Sequence, residues 1–409
     1  MTSVITGIGV VAPNGIGTEA FWKATREGVS VLDRVTREGC LDLPLRIAGE
    51  VRGFDATAAI EERFVVQTDR FTHFAMAAAD LALADARLTA DPDDPFAVGV
   101  VTAAGSGGGE FGQRELQRLW GQGPHYVGPY QSIAWFYAAS TGQISIRGGF
   151  KGPCGVVASD EAGGLDAIGH ACRNLARPDT GTRAVVVGAA EAPLAPYSGV
   201  CQLGYAELSL AADPERAYQP FTARACGFSP AEGGAMLVVE DAEHALARGA
   251  RPRAVIAGHA ATFTGASRWA ESREGLVRAI GGALQEAGLA PSDIDVVFAD
   301  ALGTPDADRA EAEAIAAVFG PHGVPVTAPK TGTGRAYCGG PVLDTAAAVL
   351  ALEHGTVPPT PQVTEVLDDL GIDLVTGRAR AVGRLRAALV LSRGLMGSNA
   401  ALVVKEYTK

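Results

Sequence analysis

The segment Val156-Val157-Ala158-Ser159-Asp160-Glu161-Ala162-Gly163-Gly164-Leu165-Asp166-Ala167 carries the residue types of a nucleophile elbow: a buried strand, a sharp turn, and a helix that opens on small side chains. Small residues let a substrate approach the turn, and free backbone N–H groups at a helix start stabilise negative charge. A Cys at such a tip has a lowered pKa and attacks as a thiolate. Here the tip is Asp160-Glu161, with Ser159 just before it and no Cys or Ser at the apex. The plainer reading is a helix N-terminus capped by acidic residues, as the helix dipole prefers.

No other cluster offers chemistry as readily. The six cysteines, Cys40, Cys154, Cys172, Cys201, Cys226 and Cys338, form no CxxC pair, which argues against a zinc site. They are expected to be reduced and mostly buried thiols. Cys154 sits at the wrong end of the elbow strand for attack, and Cys338, in a Gly-rich turn, is the one thiol worth testing for reactivity. None of the seven histidines falls in a metal-ligand spacing. Neither a metal nor a cofactor is expected.

The elements that must position these residues follow from periodicity. Val4 to Val11, Val98 to Thr102, Ala184 to Val187, Ala235 to Val239, Val296 to Ala299, Val324 to Ala328, Ala388 to Leu391 and Ala400 to Val404 read as buried strands. Between them lie helical stripes such as Phe71, Phe74, Ala75, Ala78 and Ala82, or Leu165, Ile168, Cys172 and Leu175. Further helices are predicted over Leu276 to Ala287, Asp308 to Phe319 and Asp344 to His354, each closed by Gly. The alternation predicts an α/β protein with buried sheets. A break near Arg248-Gly249-Ala250-Arg251-Pro252 divides the chain into halves, 1–247 and 248–409, with a similar order of elements but no demonstrable sequence likeness.

With 409 residues, 47% of them hydrophobic and 20% charged, the chain has material for a large core. Its formal net charge of -12 disfavours nucleic acid and anionic membrane. No run approaches the apolar length of a membrane span, and no secretory signal is visible, so a soluble cytoplasmic protein is expected.

The elbow segment resembles the active-site motif of the ketosynthases of the thiolase-like superfamily, in which a Cys is followed by a small residue, Ser or Gly, and then Gly-Leu-Asp-Ala. Setting Gly164-Leu165-Asp166-Ala167 on that motif puts Glu161 at the position of the nucleophilic Cys. Ala301-Leu302-Gly303-Thr304 resembles the family's Ala-His-Gly-Thr, so Leu302 takes the place of the first catalytic His. In Lys330-Thr331-Gly332-Thr333-Gly334-Arg335, Arg335 takes the place of the second His and Lys330 keeps its usual identity. Pro220-Phe221 through Gly233-Gly234 and Gly394 to Asn399 resemble two further family segments, so that the likeness runs over nearly the whole chain.

The resemblance implies a thiolase-like fold, two duplicated βαβαβαββ halves in an α-β-α-β-α layering. Fold motifs kept while three catalytic positions are lost point to the chain-length factor, or ketosynthase beta subunit, of type II polyketide synthases, although that family usually carries Gln where Glu161 stands. The resemblance then implies no catalytic residue, an active ketosynthase alpha subunit as partner, and an acyl carrier protein bringing malonyl units and the growing polyketide. An acidic carrier needs a local basic patch on this acidic chain. Gly109, Gly112, Leu116 and Ile133 resemble the gate of the polyketide tunnel; their small or medium size implies a deep pocket and a long product. Phe111, Trp135, Phe136 and Tyr137 are expected at the interface or in the core. Glu161 and Arg335 are expected to meet as an ion pair. The competing readings are a malonyl-carrier-protein decarboxylase, or another thioester-acting enzyme using Glu161, and a plain scaffold.

Overall fold

A computed structural model describes residues 1–265 and 269–408. Eleven strands set the frame: β1 (Ser3–Ala12), β2 (Val98–Ala103), β3 (Cys154–Val157), β4 (Ala184–Glu191), β5 (Gly233–Asp241), β6 (Ala254–Phe263), β7 (Val296–Phe298), β8 (Pro325–Thr327), β9 (Asp373–Leu374), β10 (Ala387–Arg393) and β11 (Ser398–Lys405). They lie in the order β9-β8-β7-β10-β11-β6-β1-β5-β4-β2-β3, with Gly15–Ile16 added beside β1.

The duplication is written in this order. Numbered along the chain within each half, and setting the two-residue β9 aside, both halves run third-second-fourth-fifth-first: β3-β2-β4-β5-β1 and β8-β7-β10-β11-β6. Directions repeat as well. β2 is parallel to β3 and β4, while β5 is antiparallel to β4 and β1. β7 is parallel to β8 and β10, while β11 is antiparallel to β10 and β6. The halves meet where Val4 and Ile5 of β1 pair with Val255 and Ala254 of β6.

Helices fill the layers around the sheet and between its two halves. α1 (Arg70–Ala86) covers β1, β5 and β4 from outside, started by Asp69, whose carboxylate accepts the Phe71 N–H. It approaches so closely that a Cβ on Gly9 of β1 would lie 1.9 Å from the Ala78 carbonyl oxygen. α5 (Trp269–Ala287) covers β6 and β11, and packs on α6 (Pro305–Phe319). α3 (Gly163–Leu175) and α7 (Gly339–His354) touch strands of both halves and form the middle layer, in the largest hydrophobic cluster. Of the two remaining helices that matter here, α2 (Gly109–Gln122) and α4 (Pro196–Gln202), neither belongs to the repeat.

Three expectations need correction. β6 was not expected as a strand, because Ala, Gly and His dilute its apolar signal; register with β11 from Lys405↔Val255 to Ser398↔Phe263 makes it one. α7 begins at Gly339 and not at Asp344. Gly-Gly-Pro reads as a breaker, yet Pro is tolerated in a first helical turn, and a Cβ on Gly339 would sit 2.5 Å from the Gly233 carbonyl oxygen. The cysteines are not mostly buried: Cys154, Cys201 and Cys226 are exposed, while Cys40 and Cys338 are buried.

The crossing of α3 and α7 depends on Gly164, where an added Cβ would meet the Cys338 carbonyl oxygen at 2.3 Å and Pro341 Cγ at 2.8 Å. Backbone cannot yield as a side chain can. Gly164→Ala is therefore expected to lower stability by about 1–3 kcal/mol, seen as a reduced denaturant midpoint at unchanged slope.

Candidate functional site

The elbow predicted from sequence forms between β3 and α3. Asp160 holds its apex at φ 57, a left-handed conformation that Asp adopts more readily than most residues. That twist turns Glu161 inward, where it is 3% exposed. The two acidic residues do not cap α3, contrary to the plainer sequence reading: the N-cap is Ala162, with no side-chain cap bond. Asp160 Oδ2 accepts the Met396 N–H at 2.7 Å, and its carbonyl accepts from Cys338 Sγ at 3.0 Å. Both contacts anchor the elbow to loops of the second half.

Arg335, brought in from the second half, faces Glu161. Its Nε and Nη2 donate to Glu161 Oε2 at 3.0 and 2.6 Å, so the expected ion pair forms. Nη2 also reaches Asp300 Oδ1 at 2.9 Å and the Arg393 carbonyl at 2.6 Å, while Nη1 donates to the Asp300 carbonyl at 3.2 Å. Burial pushes the Glu161 carboxyl up to about 7 against the pull of Arg335. Burial also opposes ionisation of Asp300, yet Arg335, Arg393 and Lys330 together hold that carboxyl below its usual range. Despite its own burial, Arg335 is held well above its ordinary value by Asp300 and Glu161.

The other expected positions are packed shut. Leu302 is fully buried beside Phe228 and Tyr218. Lys330 Nζ lies 2.6 Å from Asp344 Oδ2, both of them buried. Cys338 is buried near Glu191 and Glu161, and that burial first, then those carboxylates, push its thiol well above the usual range, which disfavours the thiolate.

Sequence reading missed two groups. Glu191 ends β4 and turns its carboxylate under the elbow, accepting from Gly105 N at 2.5 Å and Ser106 Oγ at 2.9 Å; burial pushes it up to about 6. Its signal was an acid closing an otherwise apolar strand, Ala184 to Ala190. His259 of β6 places Nε2 3.1 Å from Asp166 Oδ1, and Ser159 Oγ donates to the other Asp166 oxygen. No spacing along the chain announces that tie, because His259 and Asp166 lie in different halves.

A cavity of about 600 Å³ opens at this place, with Ser159, Glu161, Glu191, Tyr205, Tyr337 and Cys338 among its walls. Its lining holds two thiols, Cys201 and Cys338, and no imidazole.

Residues 3–245 match the N-terminal domain of beta-ketoacyl synthases, and residues 253–364 match the C-terminal domain. The chain belongs to the beta-ketoacyl synthase family. Within this family it groups with the beta subunits of polyketide synthases. It is 69% identical, over 98% of this chain and 94% of the relative, to a polyketide beta-ketoacyl synthase 2 of Streptomyces coelicolor. It is 52% identical, over 99% and 98%, to the ketoacyl synthase beta subunit of the tetracenomycin polyketide synthase of Streptomyces glaucescens. Among solved structures, the ishigamide ketosynthase/chain length factor superposes with a TM-score of 0.90, 27% identity and coverage of 100% and 99%. A type II polyketide synthase acyl-carrier protein in complex with its ketosynthase, bound to the hexaketide, matches with a TM-score of 0.85, 26% identity and 99% coverage of both chains.

In this beta-ketoacyl synthase chain the gate candidates separate. Gly109, at the start of α2, lines the cavity, and a Cβ there would meet Ser198 Oγ of α4 at 2.5 Å. Gly112, Leu116 and Ile133 are not among its walls. Gly112 lies against Trp135, whose Cδ1 would be 3.1 Å from an added Cβ, and Leu116 is 44% exposed. Phe111 is buried, whereas Trp135, Phe136 and Tyr137 are 56%, 41% and 41% exposed. Among the described residues no helix is long and apolar enough to cross a membrane, and no group of His, Cys, Asp and Glu could hold a metal.

Proposed function

We propose that this chain is a non-catalytic ketosynthase-like subunit that pairs with an active ketosynthase and sets polyketide chain length by shaping a tunnel at their interface. The observation that carries this reading is the Arg335–Glu161 pair, with Leu302, in place of a thiol and two imidazoles. Condensation needs a thiolate to hold the growing chain and donors to stabilise the enolate that forms when a malonyl thioester loses carbon dioxide. Glu161 cannot store a thioester, Leu302 cannot donate a hydrogen bond, and the Arg335 guanidinium is spent on Glu161, Asp300 and Arg393. Loss of one such donor costs on the order of 10²–10³ in rate.

Two surfaces support a partner. β3 is the last strand of the sheet, paired only with β2, and presents an open edge. Trp135, Phe136 and Tyr137 form an exposed aromatic patch beside the gate helix, of a kind that monomers seldom leave in water. Malonyl units and the growing polyketide reach this assembly, in the cytoplasm, on an acyl carrier protein. The two halves, 1–247 and 248–409, act as one body in this reading, the first supplying gate and interface. A decarboxylase reading has less support. A malonyl carboxylate would meet Asp160, Glu161 and Glu191 in a cavity with no Lys, Arg or His among its walls.

The test is product length. In the reconstituted pair, Gly109→Phe and Gly112→Phe are expected to shorten the polyketide, Gly109→Phe by filling the cavity mouth and Gly112→Phe by displacing Trp135. Mass spectrometry of the released products reads the length; unchanged length in both variants refutes the gate.

A further inference from the structure

We propose that Asp69 and Glu191 are positioning residues of the gate: two buried carboxylates, one on each side of Gly109, that fix where the first turn of α2 stands across the cavity and so which chain length the pair makes. This rests on the reading of Gly109 as a gate residue. The segment that enters α2 lines the cavity with Gly105, Ser106 and Gly109. Its start is held by Glu191, which accepts the Gly105 N–H at 2.5 Å on one oxygen and the Ser106 hydroxyl at 2.9 Å on the other. Just past Gly109, the Phe111 N–H donates to Asp69 Oδ2 at 2.7 Å, while Asp69 Oδ1 accepts the Phe71 N–H at 3.2 Å. One carboxylate thus serves the N-termini of both α1 and α2, where helix dipoles favour negative charge. Both acids are 1% exposed, and both sit on regular elements, at the end of β4 and at the N-cap of α1.

The helix start has no anchor of its own. Its N-cap is Gly108, which has no side chain to cap with, and Gly107 and Gly109 flank it, so the backbone between the two carboxylates is intrinsically free. The Gly108 N–H reaches the Trp135 carbonyl at 3.1 Å, a bond to the exposed aromatic patch and not to the sheet. A Cβ on Gly109 would stand 2.5 Å from Ser198 Oγ, so a shift of roughly 1 Å in α2 changes what touches across the cavity. Hydrogen bonds to a carboxylate are about twice as strong as neutral ones, which suits them to fix such a turn. The two acids differ in what an amide could replace. Both Asp69 oxygens accept from N–H groups, so an amide, with one acceptor oxygen, serves only one of the two helices. Glu191 accepts one N–H and one hydroxyl, and a hydroxyl can turn to accept, so an amide there satisfies both.

The test compares Glu191→Ala, Glu191→Gln and Asp69→Asn in the reconstituted pair, reading amide hydrogen exchange and, by mass spectrometry, product length. Glu191→Ala and Asp69→Asn are expected to speed exchange over residues 105–112 at least roughly tenfold, the value of one hydrogen bond to a charged group in a local opening. Exchange in β1 and β5 is expected to stay native, whereas a general loss of stability would raise it there too. Both variants are expected to lose the native length as the main product, and Glu191→Gln to keep it. Three results overturn the proposal and leave the gate reading standing: unchanged exchange in Glu191→Ala and Asp69→Asn, Glu191→Gln behaving as Glu191→Ala does, or faster exchange with the native length kept while Gly109→Phe shortens the product. If Gly109→Phe also leaves the length unchanged, the gate reading itself has failed and this proposal falls with it.

Discussion

Arg335→Ala is expected to destabilise the fold by about 3–5 kcal/mol, the usual cost of removing one partner from a buried ion pair. The side chain is 4% exposed and touches two carboxylates, Glu161 and Asp300, at 2.6 and 2.9 Å. Truncation leaves Glu161 without its cation, while Asp300 keeps Arg393. Glu161 suffers more than Asp300, which keeps Arg393 Nε 3.3 Å from its Oδ2 and still accepts the Arg393 N–H at 3.0 Å. Glu161→Gln should cost far less, since an amide oxygen still accepts from Arg335 and one buried charge is gone. Chemical denaturation of the two variants measures the contrast. A loss below about 1 kcal/mol for Arg335→Ala would mean that water enters and solvates the carboxylates, and the tightly closed centre described above would be wrong. If the centre is non-catalytic, as proposed, this ion pair is what holds the elbow in shape where catalytic groups would otherwise stand.

The second large effect concerns assembly. The double variant Trp135→Glu, Phe136→Glu puts two charges on a patch that is already solvent-exposed in the single chain. Its own stability should change by no more than about 0.5 kcal/mol, as for surface substitutions away from structural features. If the patch meets the ketosynthase, the charges must be desolvated on pairing, and the pair should fail to co-elute on size exclusion and make no polyketide. A variant that still co-purifies and still makes product would remove this face from the interface. The neighbouring ring contact, Phe136 to Tyr137 at 4.7 Å between centroids, shows that the patch already packs on itself before any partner arrives.

Much of the fold was legible because it is local. The Val-rich runs of β2, β4 and β5 and the small-residue start of α3 follow directly from period and composition. β6 and the first turn of α7 were not, since long-range register and backbone contact, and not residue type, make them regular. At the site, Glu161, Leu302 and Arg335 were identified through motif likeness, and Arg335 meets Glu161 in the fold. Glu191 and His259 were invisible, because each depends on which parts of two halves come to lie face to face.

The amino-acid sequence by itself determined that this chain builds a ketosynthase frame around an elbow bearing a carboxylate, with an aliphatic side chain and a guanidinium where imidazoles would stand. Local propensity and side-chain chemistry are properties of residue types and travel with the string. Only the tertiary structure decided that Arg335 is held by four acceptors, the Glu161 and Asp300 carboxylates and the Asp300 and Arg393 carbonyls, that α2 carries Gly109 into the cavity and Gly112 against Trp135, and that β3 is left as an open edge. Those facts are distances between residues far apart in the chain, and they arise when the two halves of the sheet close over α3 and α7.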